Sequence, residues 1–190
     1  MMHNRKRAIV LVLIFVLAGF ASASASEVAA VWTRLYDRAR TLDQKYQIML
    51  NIVEQNSRDM VPVLTRALDE QVRNFENPQS TTEKQQQIRL TQMVVEELGN
   101  LKAREAAELV WQVVEATDDT ILKGESILAL GKMGARAHAE QMSIMLRNLN
   151  FAGGEVSRKR ENEILAYSLV KALERIKHEA GLEPVFFASE

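Results

Sequence analysis

The chain of 190 residues contains no cysteine. That absence excludes disulfides, thiolate nucleophiles, cysteine-based metal sites and lipidation of a cysteine at a processing point. Histidine is almost as scarce: of three residues, His3 lies in the extreme N-terminal segment, leaving His138 and His178. A metal site needs convergent ligands, and neither histidine has a second one at i+4, so no metal and no cofactor are expected. His138 is expected at the surface near a helix start, and His178 in the last turn of a helix, beside exposed carbonyls. No glycine-rich phosphate loop or nucleophile elbow is present, because Gly153-Gly154 stands alone. The acidic pairs Asp69-Glu70, Glu96-Glu97 and Asp118-Asp119 are chain neighbours, which do not face each other on a helix. With no catalytic residues legible, the chain is expected not to be an enzyme.

One long hydrophobic run is present, at residues 8–20, behind Arg5, Lys6 and Arg7 and ahead of Ala21-Ser22-Ala23-Ser24-Ala25. A basic head, an apolar stretch and small-x-small sites make up an export signal. The 13 apolar residues fall short of the roughly 20 that span a hydrocarbon core. Cleavage after Ala23 or Ala25 is therefore expected, with residues 1–25 as signal peptide and an exported product, periplasmic or secreted. Residues 26–190 form one domain of ordinary size. With the three signal residues subtracted from 24 basic against 25 acidic, the mature net charge is about −4, which disfavours nucleic acid as a partner.

Apolar positions recur at helical spacing through most of the mature chain, so the expected fold class is all-α. At about 100° per residue, Val28, Val31, Trp32, Leu35, Tyr36 and Ala39 share one face of a first helix, with Ser26 as its cap. Leu42, Ile48, Met49, Ile52 and Val53 follow in a second, and Asn56-Ser57 supplies a turn. Pro62 is tolerable near the start of a third helix carrying Val61, Leu64, Ala67, Leu68, Val72 and Phe75. Residues 76–82 are polar and read as a loop. Helices are then predicted over 83–98, 103–116, 119–132 and 135–149, with Thr117-Asp118-Asp119 capping the third of these. The glycine pair makes residues 151–156 a candidate joint before a long helix over 157–179. Residues 180–190 end in apolar and aromatic residues and form either a cap on the last helices or a docking peptide. Met142 and Met145 are assigned to core filling.

Two stretches repeat 32 positions apart, Leu98-Gly99-Asn100-Leu101-Lys102-Ala103-Arg104 and Leu130-Gly131-Lys132-Met133-Gly134-Ala135-Arg136. Each closes one amphipathic helix and opens the next, the signature of a solenoid of helical hairpins. The segment Asp118-Asp119-Thr120-Ile121-Leu122-Lys123-Gly124-Glu125-Ser126-Ile127-Leu128-Ala129-Leu130-Gly131-Lys132-Met133-Gly134 resembles a bacterial HEAT-like repeat of the phycobilisome-lyase type, with its Ala-Leu-Gly-x-hydrophobic-Gly junction. Glu97-Leu98-Gly99-Asn100-Leu101 is similar to a second copy. In that group an acidic residue usually follows the junction, whereas Lys102 and Ala135 stand near that place here. The resemblance implies a short α-solenoid of about four HEAT-like helix pairs, clearest over 83–149. Some members of the group assist attachment of bilin chromophores to phycobiliproteins.

A solenoid's default task is to hold other molecules. The expected function is a non-catalytic scaffold for another envelope protein; the alternatives are an enzyme accessory or lyase-like chaperone, and a membrane-surface factor. If the second helices of successive pairs line one surface, Glu108, Gln112, Ile144, Arg147 and Asn148 are the candidate partner-binding residues. Arg158, Lys159, Arg160, Lys171, Arg175 and Lys177 form a candidate basic patch for an acidic protein surface or anionic lipid.

Overall fold

A computed structural model describes residues 27–75, 80–151 and 159–179. The expected signal segment with Ser26, the joint at 151–156 apart from Phe151, Arg158 and the tail at 180–190 lie outside the described residues. Every regular element among the described residues is helical. The helices are α1 (27–38), α2 (Leu42–Val53), α3 (Val61–Asn74), α4 (Thr81–Asn100), α5 (Ala107–Ala116), α6 (Thr120–Met133), α7 (Ala139–Phe151) and α8 (Lys159–Ile176). Single 3₁₀ turns at Arg58–Met60, Arg104–Ala106 and Arg136–His138 lead into α3, α5 and α7.

Helix starts follow local chemistry. Ser80 accepts from the Glu83 backbone N–H, and the Glu83 carboxylate accepts from the Ser80 N–H, closing a capping box on α4. These bonds hold the Glu83 carboxyl below its usual range. Asp119 caps α6 by accepting from Leu122 N–H at 2.8 Å, and Thr41 caps α2 through Gln44 N–H. Pro62 sits in the first turn of α3, where a missing N–H costs little.

The even-numbered helices pack in series, α2 on α4, α4 on α6 and α6 on α8. Helix α3 packs on α4 and α5, α5 on α6, and α7 on α8. Helix α6 thus has neighbours on three sides and buries Leu122, Gly124, Ser126, Ile127, Ala129, Leu130, Gly131 and Met133 around most of its circumference. Glycine is needed where the series is tightest. A Cβ on Gly99 would lie 2.9 Å from Cα of Ala129, and one on Gly131 would lie 2.6 Å from Cα of Ala172. Both positions pair a glycine with an alanine of the next even-numbered helix.

Each even-numbered helix ends beside a residue with positive φ: Asn56 (43°), Lys102 (52°), Gly134 (69°) and Lys177 (53°). The 32-residue sequence repeat reappears as a repeated hydrogen-bond pattern. Lys102 N–H reaches Gly99 O and Ala103 N–H reaches Leu98 O, as Gly134 N–H reaches Gly131 O and Ala135 N–H reaches Leu130 O. These are the bonds of a Schellman-type helix end. Asn56-Ser57-Arg58 shares part of this pattern: Asn56 N–H reaches Val53 O as Lys102 N–H reaches Gly99 O, and Met60 N–H reaches Ser57 O as Ala106 N–H reaches Ala103 O. The sequence marked Asn56-Ser57 as a turn but not as a relative of the junction, because its spelling differs.

Two sequence expectations are corrected. On α1 the apolar residues do not share one buried face: Ala29 and Tyr36 are buried, whereas Val28, Val31 and Leu35 are 45, 51 and 42 % exposed. Tyr36 is drawn in by polar partners. Its hydroxyl accepts from Gln71 Nε2 at 3.1 Å, Gln87 Nε2 donates to Gln71 O, and Thr91 Oγ1 donates to Gln87 O. Lys45 sits 5.1 Å above the Tyr36 ring and pairs with Glu70. Burial pushes the Tyr36 hydroxyl well above its usual range. Second, His138 is not a surface residue. It is buried, its ring stacked on Trp111 at 5.1 Å and 9° between planes.

Candidate functional site

The outward sides of α5 and α7 carry the five residues expected to meet a partner. Glu108, Gln112, Ile144, Arg147 and Asn148 are all exposed, with Ile144 at 48 %. On α7 the complementary stripe of Ala139, Met142 and Leu146 is buried, as the periodicity requires. The two helices are tied at one end by the stacked Trp111 and His138. Glu108 Oε2 lies 3.5 Å from His138 Nε2, and Trp111 Nε1 donates to Glu115 at 2.8 Å. Of the five, Glu108 meets this link.

The basic residues of α8 divide. Lys159 and Arg160 stand at its first turn and Arg175 at its last, a separation of about 24 Å at 1.5 Å per residue. Lys171 is paired with Glu174 at 3.0 Å, which raises the Lys171 ammonium and lowers the Glu174 carboxyl from their ordinary values. Lys177 is exposed beyond the helix end.

Arg175 instead joins cations from other helices. A cleft of about 530 Å³ opens where α4, α6 and α8 end, lined by Gly99, Asn100, Lys102, Arg104, Gly131, Lys132, Met133, Gly134 and Arg175. Four of these side chains are cationic and none is acidic. Part of this charge serves the fold. Arg104 Nε donates to Met133 O at 3.0 Å, closing the C-terminus of α6, and Lys132 Nζ donates to Asn100 Oδ1 at 2.8 Å, tying α6 to α4. Arg58, at the matching position of the preceding junction, likewise reaches forward to Glu105 at 3.1 Å. Lys102 and Arg175 have no ion pair or side-chain hydrogen bond among the described residues. The sequence placed Lys102, Arg104 and Lys132 in a structural repeat and gave no sign that they converge with Arg175.

Glu97, hydrogen-bonded to Asn100 of the cleft lining, is buried at 5 % exposure, and its Oε1 has no hydrogen-bond partner among the described residues. Burial pushes its carboxyl above the usual range, against the opposing pull of the Asn100 hydrogen bond and the Lys132 charge. A carboxyl whose folded pKa is raised keeps its proton longer in the folded than in the unfolded chain. Its penalty is absent below the unfolded value, grows as pH rises toward the folded value and is fully present above it. Glu97→Gln is therefore expected to raise the urea midpoint at pH 7, and the gain should vanish near pH 4, about the unfolded carboxylate value. A glutamine variant less stable than the parent at pH 7 would show that the charge is satisfied where it stands.

Among the described residues, no cluster of three or more His, Asp or Glu side chains could hold a metal ion, and no helix is long and apolar enough to cross a membrane. Fold and surface together define an all-helical protein with a repeated helix-end junction and a cationic cleft built from those junctions. Comparison of the chain with family models, with curated proteins and with solved structures finds no match.

Proposed function

We propose that the protein is a short α-solenoid of about four HEAT-like helix pairs, exported to the cell envelope, that binds another protein and catalyses no reaction. The observation that carries this reading is the recurrence of one junction geometry at the ends of α4 and α6, with each even-numbered helix packed on the next. Stacked hairpins of this kind bury their cores between neighbours and leave a long outer surface free for contacts. The exposed residues of α5 and α7 support the same reading: Ile144, with Arg147 and Asn148 on the same helix and Gln112 on α5, combines apolar area with hydrogen-bonding capacity, the mixture found at non-obligate protein interfaces.

Crosslinking of the tagged protein in its native envelope, followed by mass spectrometry of what co-purifies, tests the proposal. One stoichiometric protein partner is expected, with crosslinks from the α5 and α7 row or from the junction cleft. Recovery of lipid alone, or of the protein in the cytoplasm with its first 25 residues retained, would overturn it.

A further inference from the structure

We infer that the cleft at the ends of α4, α6 and α8 is a docking site for an acidic segment of a partner protein, gripped by Lys102, Arg104, Lys132 and Arg175. The choice of a protein as partner rests on the binding-module reading above; the cation set does not.

The four cations come from three separate parts of the chain, so their meeting is a product of the stacking and not of one charged run. Helix C-termini account for only some of them. Arg104 and Lys132 each spend one donor on the fold and keep others, while Lys102 and Arg175 are exposed and spend none. Glu174, next to Arg175 in the chain, feels its charge but makes its ion pair with Lys171 at 3.0 Å, and Glu97 is buried and hydrogen-bonded to Asn100. Lys102 also stands at a left-handed position, φ 52°, where the matching residue of the next junction is Gly134. Glycine would satisfy that turn without the steric penalty that an L side chain incurs there. The lysine adds an ammonium to the rim of the cleft.

Shape and charge together select the occupant. A volume of about 530 Å³ accepts a few side chains of an extended segment, and the floor formed by Gly99, Gly131 and Met133 is buried and nonpolar. Carboxylates can enter such a recess and meet both arginines in charge-assisted hydrogen bonds. In a chain of net charge −1, a local cationic cleft steers an acidic segment without attracting polyanions over the whole surface.

The test is fluorescence anisotropy of a labelled octaglutamate peptide with the purified protein and two charge-matched variants. Lys102→Glu/Arg175→Glu is expected to weaken binding by about tenfold or more, and Lys159→Glu/Arg160→Glu by less than about twofold, since it lies beyond a Debye length. Should the first variant lose its helical melting transition, Lys102→Gln/Arg175→Gln takes its place with the same direction of effect. No peptide binding, or equal loss in both variants, overturns the docking site even where the envelope crosslink stands. Displacement of the peptide by inorganic phosphate or by phosphatidylglycerol vesicles at comparable concentration overturns the acidic segment as occupant. A cleft-dependent peptide signal with no protein crosslinked in the envelope overturns the module reading on which the choice of partner rests.

Discussion

Leu130→Asp is expected to abolish the cooperative unfolding transition or to lower stability by several kcal/mol, measured as the urea midpoint of the helical circular dichroism signal. Leu130 has no exposed area. It lies in α6, the helix that touches α4, α5 and α8, and its carbonyl accepts the Ala135 N–H that closes the junction. A carboxylate at this position has no partner and no route to water. Burial of an unpaired charge costs more than several kcal/mol unless the group takes up a proton, a large share of a typical total stability of roughly 5–15 kcal/mol. Ile144→Asp serves as the control: Ile144 is 48 % exposed, and surface changes fall within about 0.5 kcal/mol. Equal midpoints for the two variants would mean that α6 is not the shared centre of the stack.

Much of this centre is legible in the sequence, because apolar spacing fixes which helices exist. The expected helix over 119–132 is found at Thr120–Met133, and that over 83–98 at Thr81–Asn100. What spacing cannot separate is two apolar stripes on one helix. Val28, Val31 and Leu35 have the same credentials as Trp32 and Tyr36, and the choice is made by Gln71, 35 residues away in the chain, which supplies a partner for the Tyr36 hydroxyl. Buried polar residues are hidden for the same reason: Gln71, Gln87, Thr91 and Glu97 occupy interior positions that a hydrophobic pattern assigns to solvent. The side chain of His138 belongs with them, since it is stacked on Trp111 from α5, two helices back in the chain.

The candidate cleft was legible in parts and not as a whole. Lys102-Ala103-Arg104 draws attention as half of a repeat, and Arg175 as a member of a charged helix, yet their meeting depends on how α4, α6 and α8 end side by side. A local charge run such as Arg158-Lys159-Arg160 is the more visible signal in one dimension. Its described members, Lys159 and Arg160, stand about 24 Å along α8 from Arg175. Charge clusters assembled across helices become visible only when the repeat register is carried through to which helix end sits beside which.

That register makes a second large and counter-intuitive effect testable: Gly131→Ala should destabilise the protein, and Gly131→Val should do so more severely. In an ordinary exposed helix, alanine in place of glycine gains about 1 kcal/mol from backbone propensity. At Gly131 the added Cβ would lie 2.6 Å from Cα and 3.0 Å from Cβ of Ala172. Neither atom is the end of a rotatable side chain, so α6 and α8 must move apart along a seam that both helices bury. Overpacking of this kind costs about 1–3 kcal/mol, enough to reverse the propensity gain, and valine adds two methyl groups to the same clash. Ala172→Gly should rescue Gly131→Ala only in part, since the clash with the backbone of residue 172 remains. Gly124 provides the internal comparison. There the nearest atom is the Ser168 hydroxyl at 2.9 Å, which can rotate away, so Gly124→Ala should be much the milder change in the same urea titration. If Gly131→Ala proved the more stable of the two, the backbones of α6 and α8 would not touch, and the cleft at their shared end would have to be wider than the present packing allows.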